Sequence, residues 1–192
     1  MKTRRTIAAM FGLMWAGTTH AADNVVPVPF GITRTPLMRN GLMGVLALGW
    51  RENTAAHGFS VLTLYAERTT SEADSHGFLV VPLFDKDKGK DKEVSEIVSS
   101  GTADCMLHDF RLVRTENEDV QIILADRDLG KSADEDAKVT FKYFDLQVPT
   151  ASDSNEPPYF FKLAKTAPAK QTYCDVGEAF QKELGLGPYQ KD

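Results

Sequence analysis

The sequence predicts a mainly antiparallel β domain that ends in one short α-helix. Short runs that alternate or are wholly apolar recur along the chain, and charged or Gly/Pro-rich turns separate them. Helical periodicity is scarce between these runs, which favours sheet over an alternating α/β arrangement. The predicted strands are 43–50, 59–65, 78–84, 107–114, 120–125, 139–148 and 159–163.

The strand patterns differ in what they predict about burial. The run 78–84 is almost entirely apolar, which is typical of a buried strand, whereas 59–65 alternates between two faces. The motif His-Gly-Phe-x-Val begins at His57 and again at His76, as expected for two hairpin-connected strands or for a chance likeness of two strands. Residues 25–30 include two prolines and predict an extended edge segment, because proline cannot donate to a ladder.

The predicted helix covers 175–184. Asp175 is suited to cap its start, and Val176, Phe180 and Leu184 recur at four-residue spacing on one face. Gly185 follows, where a left-handed C-terminal cap is common.

The first 21 residues read as a secretory signal peptide. A basic start is followed by an apolar run over 7–16 and by small residues at Thr19 and Ala21. The apolar run is too short to span a bilayer. We therefore expect cleavage after Ala21, a periplasmic location without membrane insertion, and a single β-rich domain over 22–192.

Charge excludes two classes of partner. Three of the 22 basic residues lie in the signal, so the mature chain has 19 basic against 27 acidic residues and a net charge of −8. A chain this acidic repels nucleic acid and anionic lipid.

Two cysteines, Cys105 and Cys174, remain in the exported chain. An isolated pair in an oxidising compartment predicts one disulfide. It would close a loop of roughly 70 residues, worth on the order of 4 kcal/mol in the chain-entropy account. A redox or catalytic thiol is the alternative, but the sequence has no C-x-x-C motif.

Signatures of enzymes, metals and cofactors are missing from the sequence. The histidines lack zinc-site spacing, and neither G-x-S-x-G nor S-x-x-K occurs. The loop Asp85–Asp91 loosely resembles a calcium loop, but Lys90 stands where glycine is required, so a charged hairpin is the better interpretation. We therefore expect a protein that is not an enzyme and that needs no metal or cofactor.

Polar and aromatic residues in two clusters are the candidates for a ligand site. A Trp-Arg-x-Asn segment at a strand end could bind a carboxylate, since arginine binds carboxylates bidentately. The Asp and Arg on a later strand could join such a site or pair with each other and stiffen adjacent strands. The candidates are Trp50, Arg51, Asn53, His57, Asp109 and Arg111.

Two of these stretches carry a family resemblance. The segments Trp-Arg-Glu-Asn-x-x-Ala-His-x-Phe at 50–59 and Ala-Asp-Cys-x-Leu-x-Asp-Phe-Arg-Leu at 103–112 resemble the carbapenem intrinsic resistance protein CarG family. The similarity in character extends over roughly 25–125. It implies a periplasmic homodimer, each subunit having two antiparallel β-sheets, that confers carbapenem tolerance without a known hydrolytic mechanism.

The chain departs from that family in one turn. The segment Leu37–Met43 contains no acidic residue, so a metal-binding version of this turn is not carried over. We expect the protein to act without catalysis, by binding a β-lactam or by shielding a periplasmic target. The alternatives are an immunity or inhibitor protein that binds a secreted toxin or a cell-wall hydrolase, and an unrecognised hydrolase.

Overall fold

The computed structural model describes residues 24–54, 57–67, 77–87, 89–102, 104–132, 134–149 and 156–190, and it confirms the mainly-β class. The predicted signal peptide and His76 lie outside these residues. Within them the chain forms eleven strands and one helix: Gly31–Pro36 (β1), Met43–Arg51 (β2), Phe59–Glu67 (β3), Phe78–Val80 (β4), Leu83–Asp87 (β5), Lys90–Val94 (β6), Ile97–Gly101 (β7), Met106–Arg114 (β8), Val120–Arg127 (β9), Ala137–Gln147 (β10), Phe160–Tyr173 (β11) and Val176–Leu184 (α1).

The strands form one hydrogen-bonded path rather than two separate sheets. Their order is β1-β2-β3-β7-β8-β9-β10-β11-β5-β6, and β4 pairs with β3. The prediction of an antiparallel, two-sheet arrangement is therefore wrong in two respects, although most strand pairs are antiparallel. β7 pairs with β3 through 97–99 and with β8 through Ser100 and Gly101, which joins the two halves. β11 and β5 pair in parallel.

The predicted strand 78–84 is two strands. Val81 and Pro82 interrupt it, so β4 pairs with β3 while β5 pairs with β11 and β6. Proline has no N–H for a ladder, and the Pro82 carbonyl instead accepts a hydrogen bond of 2.8 Å from the Phe161 amide. Because of this break, the apolar run 78–84 contributes one strand beside β3 and another between β11 and β6.

The main core lies where the sheet folds back on itself. Fully buried side chains from β2 and β3 belong to the same cluster as those from β8, β9, β10 and β11. Because strand residues alternate between faces, each of these strands contributes every second side chain to this layer. The largest fully buried members include Leu46, Leu64, Phe110, Phe144 and Phe161.

The helix α1 confirms the predicted helix and covers the other face of β8, β9 and β11. The Asp175 carboxylate accepts hydrogen bonds from the amides of Gly177 at 2.6 Å and Glu178 at 3.3 Å. Gly185 ends the helix at φ 68°, a left-handed conformation that favours glycine. In the described part of the chain, no helix has the length and apolar character needed to cross a membrane.

The first and last described segments meet on the sheet. The Val26 amide donates to the Leu112 carbonyl at 2.8 Å, and the Val28 amide donates to the Tyr189 carbonyl at 2.9 Å. Val28 is completely buried, and the Tyr189 ring stacks on Phe110 with centroids 4.3 Å apart. The segment predicted as an extended edge is thus a lining of the core, and its ladder contact is a single bridge to β8.

Candidate functional site

A cavity of about 620 Å³ opens beside the end of β2. Its walls come from the end of β2, the start of β3, the end of β7, the loop that leads into β8, the start of α1 and the C-terminal tail. The volume lies in the range of small-molecule sites, which are concave and partly apolar.

The aromatic wall of this cavity is exposed. Phe30 and Trp50 are 54% and 55% exposed, and together they give the cavity an accessible apolar surface. The Trp50 indole N–H donates to the Glu52 carboxylate at 2.9 Å. A side chain at Gly58 would collide with the Trp50 ring and would lie 2.6 Å from the Arg51 carbonyl oxygen. Glycine at this position therefore lets the indole lie across the backbone.

The floor of the cavity is polar and buried. Ser60 and Ser99 both line it, and the Ser99 hydroxyl donates to the Asp109 carboxylate at 2.9 Å. Burial raises the pKa of the Tyr189 phenol, and the nearby Asp109 charge raises it further, although Ser99 and Ser60 act in the opposite direction. The phenol therefore stays protonated over the physiological pH range.

Asp109 and Arg111 form a buried ion pair with an N–O distance of 2.5 Å. The Arg111 guanidinium also donates to the carbonyls of Gly187 and Phe110, each at 2.6 Å. It lies over the Phe180 ring, 4.4 Å from the ring centroid. Arg111 is only 3% exposed. These contacts agree with the interpretation that the pair stiffens the structure, here by tying β8 to the helix and the tail.

The structure separates Arg51 from Trp50. Consecutive strand residues point to opposite faces, so Trp50 shares a face with Ser60 while Arg51 pairs with Phe59 on the other. The Arg51 guanidinium lies 4.8 Å from the centroid of the Phe59 ring.

The remaining two candidates of this cluster lie in the turn after β2. The Asn53 amide donates to the His57 carbonyl at 2.7 Å and closes the turn. His57 lines the cavity. Of the six predicted ligand residues, Trp50 and His57 thus line the large cavity together. Asp109 lies behind the cavity floor, where it accepts the hydrogen bond of the lining residue Ser99.

Sequence reasoning missed most of the cavity residues, among them Phe30, Ser60, Ser99 and Tyr189. Serines at inward positions of apolar strands were the available signal for Ser60 and Ser99. Phe30 and Tyr189 carried no such signal, because their place depends on the meeting of the two end segments.

The predicted cysteine pair lies at the edge of the cavity. The Cα atoms of Cys105 and Cys174 are 5.3 Å apart, a separation compatible with a disulfide. A bond here would hold the loop before β8 against the start of α1. Because Cys105 lines the cavity, the bond would also fix one of its walls.

A second polar cluster lies on the core-facing side of β8, β9 and β10, beside a cavity of about 310 Å³. His108 contacts Asp126 at 3.0 Å, and the Lys142 ammonium contacts Asp85 at 2.8 Å and Asp126 at 3.2 Å. Burial acts to raise the pKa of Asp126, but the hydrogen bond from His108 and the charge of Lys142 outweigh it, so this pKa is lowered. Burial acts to lower the pKa of Lys142, but its two carboxylate partners outweigh that and raise it.

Metal ligands do not cluster in the part of the chain described here: no group of three or more His, Cys, Asp or Glu side chains is arranged to hold an ion. In the second polar cluster, the carboxylates of Asp85 and Asp126 contact the side chains of His108 and Lys142, so these polar groups are paired with one another.

Comparison with known proteins gives one strong structural likeness. No protein-family model matches the chain, and no curated protein sequence matches it. The fold is similar to the crystal structure of CarG, with a TM-score of 0.66 and 20% sequence identity. The match covers 85% of this chain and 99% of that chain. The likeness supports a CarG-like fold.

Proposed function

We propose that this chain is a periplasmic, CarG-like protein that gives tolerance to carbapenem antibiotics without catalysis, by binding the antibiotic or by shielding a periplasmic target. The observation that carries the proposal is the fold likeness, which spans almost the whole of the CarG structure. The predicted signal peptide supports the location, and the missing hydrolase signatures support a non-catalytic mode.

The large cavity is the contact site in this proposal. Its exposed aromatic wall offers apolar surface to a ligand or to a target, and burial of such surface is the main source of affinity at compact sites. Arg51, which the sequence suggested as a carboxylate-binding residue, lies on the opposite face. Trp50 is therefore the residue to test first.

The test is carbapenem susceptibility in a sensitive host that exports the protein. We expect the minimal inhibitory concentration to rise with the wild-type chain and to fall back with Trp50→Ala. Leu129→Ala is the matched control, because Leu129 is 67% exposed and does not line the cavity. An unchanged inhibitory concentration with folded protein in the periplasm would refute the proposal. Multiple-turnover loss of carbapenem absorbance with purified protein would instead make the chain an enzyme.

We also propose a homodimer formed through the outer face of the half-sheet β1-β2-β3-β7. Paired residues across antiparallel strands share a face, and this face carries Ile32, Val61, Val80 and Val98. Ile32 is 78% exposed. Val80 and Val98 are exposed as well, and exposed apolar side chains grouped on one face are typical of an interface.

Light scattering after size-exclusion chromatography tests the dimer. Ile32→Asp should shift the mass from dimer to monomer, because it places a charge on the proposed interface. Leu129→Asp introduces the same charge at an exposed apolar site on a loop and should leave the dimer intact. A monomeric wild type at micromolar concentration would contradict the proposal.

A further inference from the structure

We propose that the large cavity beside Trp50 binds a small organic cation, an ammonium or guanidinium group carried on an apolar body. This inference goes beyond the proposed function and does not depend on it. It rests on the charge of the cavity walls, on the exposed aromatic side chains, and on the side of β2 that Arg51 occupies.

The cavity walls carry negative charge. Asp104 and Asp175 line the cavity, and no lysine or arginine is among its lining residues in the described ranges. His57 is the one histidine among these lining residues. A cleft with charges of one sign and low-dielectric walls concentrates counter-ions, so this cavity favours cations.

Two further carboxylates lie next to the lining. Glu52 accepts the hydrogen bond of the Trp50 indole, and Asp134 accepts one from the Thr102 hydroxyl at 3.2 Å. Both contacts hold negative charge beside residues that face the cavity. These two carboxylates make the electrostatic potential in the cavity more negative without occupying its volume.

The two lining carboxylates have different roles. Both oxygens of Asp175 are engaged, one with the amides of Gly177 and Glu178 and the other with the Met106 amide at 3.4 Å. Its charge therefore stabilises the first turn of α1. Asp104 is exposed where the loop enters β8. We infer that Asp104 is the carboxylate that pairs with the bound cation.

The aromatic wall suits the same ligand. Trp50 and Phe30 are each about half exposed, and tryptophan is the best aromatic partner for a cation over its ring face. The same rings can cover the apolar body of the ligand. Arg51 offers no ion pair to an anion here, because it lies on the opposite face of β2.

Trp50 also makes the site measurable. The chain has two tryptophans, Trp15 and Trp50, and the first lies in the predicted signal peptide. All residues of both cores lie between Val25 and Tyr189, so the chain from residue 22 onward contains the whole described fold. Tryptophan fluorescence of this secreted form, excited selectively over the tyrosines, therefore comes from Trp50 alone.

The experiment compares three probes that share one ring and differ in charge: benzylamine, benzyl alcohol and benzoate. We expect benzylamine to bind most tightly and benzoate most weakly, with the benzylamine affinity falling as sodium chloride is raised. Asp104→Asn should weaken benzylamine binding by about two- to fivefold, the range of an exposed ion pair, and should leave benzyl alcohol unchanged. Asp128→Asn removes an exposed carboxylate that does not line the cavity and should change neither.

The order of affinities decides the outcome. Benzoate binding as tightly as benzylamine, or equal affinity for all three probes, would overturn the inference. So would the absence of binding by all three, judged from Trp50 fluorescence and from saturation-transfer NMR of the probe signals. An Asp104→Asn variant that folds normally by circular dichroism and binds benzylamine like the wild type would overturn the role of Asp104.

Discussion

Removing one member of the buried Asp109–Arg111 pair should destabilise the protein far more than removing both. In Asp109→Ala the Arg111 guanidinium keeps its charge at 3% exposure and loses its carboxylate partner. An uncompensated buried charge of this kind costs about 3–5 kcal/mol. Arg111→Met should cost a similar amount, because it leaves the Asp109 carboxylate with the Ser99 hydroxyl and removes the hydrogen bond to Gly187.

The double variant Asp109→Ala/Arg111→Met should lose much less than the sum of the two single changes. Neither charge then remains buried, and methionine can fill the space between the rings of Phe180 and Tyr189 that the guanidinium occupies. The coupling between two groups in one hydrogen-bonded network is about 0.5–3 kcal/mol. This non-additivity is the signature of a pair that acts as a structural unit.

Urea unfolding followed by circular dichroism measures these free energies. With a slope of about 2 kcal/mol per molar urea, a loss of 4 kcal/mol lowers the midpoint by roughly 2 M. Lys182→Met is the surface control: it breaks an ion pair with Glu178 whose side chains are 60% and 47% exposed, and it should cost below about 1 kcal/mol. A cost of under 1 kcal/mol for Asp109→Ala, or full additivity in the double variant, would refute the reasoning.

Three further predictions concern stability. Thiol titration of the unfolded, unreduced protein from residue 22 onward should find no free thiol, and Cys105→Ser/Cys174→Ser should lower the free energy of unfolding by about 2–5 kcal/mol; two free thiols in the wild type would contradict the bond. The pKa of Asp126 is lower in the folded protein than in the unfolded chain, where it is about 3.9, so its ionised carboxylate stabilises the fold above that pH. The difference in free energy of unfolding between wild type and Asp126→Asn should therefore vanish as the pH falls through the folded pKa. A constant difference in urea unfolding from pH 3 to 7 would exclude this. Asp175→Ala should cost about 1 kcal/mol in thermal unfolding through loss of the helix cap, and an unchanged melting temperature would show the cap to be dispensable.

Local patterns predicted the elements better than they predicted their neighbours. The helix was recognisable because its cap, its apolar spacing and Gly185 all agree within one short segment. The division of 78–84 at Pro82 was visible as a proline inside an apolar run, but the pairing of β5 with β11 was not. That pairing joins segments far apart in the chain, and no local pattern encodes it.

In the candidate site, too, single residues were predicted better than their arrangement in space. Trp50 and the Asp109–Arg111 pair stand out as aromatic or charged side chains on otherwise apolar strands, and His57 stands out in the turn after β2. The joint role assigned to Trp50 and Arg51 overlooked the two-residue period of a strand, which sends neighbours to opposite faces. Alternation was present in the sequence, but the inward face could be chosen only once the register of β2 with β3 was known.

The meeting of Val28 with Tyr189 means that the fold closes only when both ends of the described chain are available. Residue 28 leaves the ribosome early, yet its hydrogen-bond partner is translated roughly 8 to 30 seconds later at ordinary elongation rates. For that interval the inner faces of β2 and β3 have no finished second half to cover them. Pro27 and Pro29 lie in the waiting segment, where they remove two donors that a foreign strand could use. We therefore expect the prolines to disfavour pairing of this segment with other chains until its own last segment is in place.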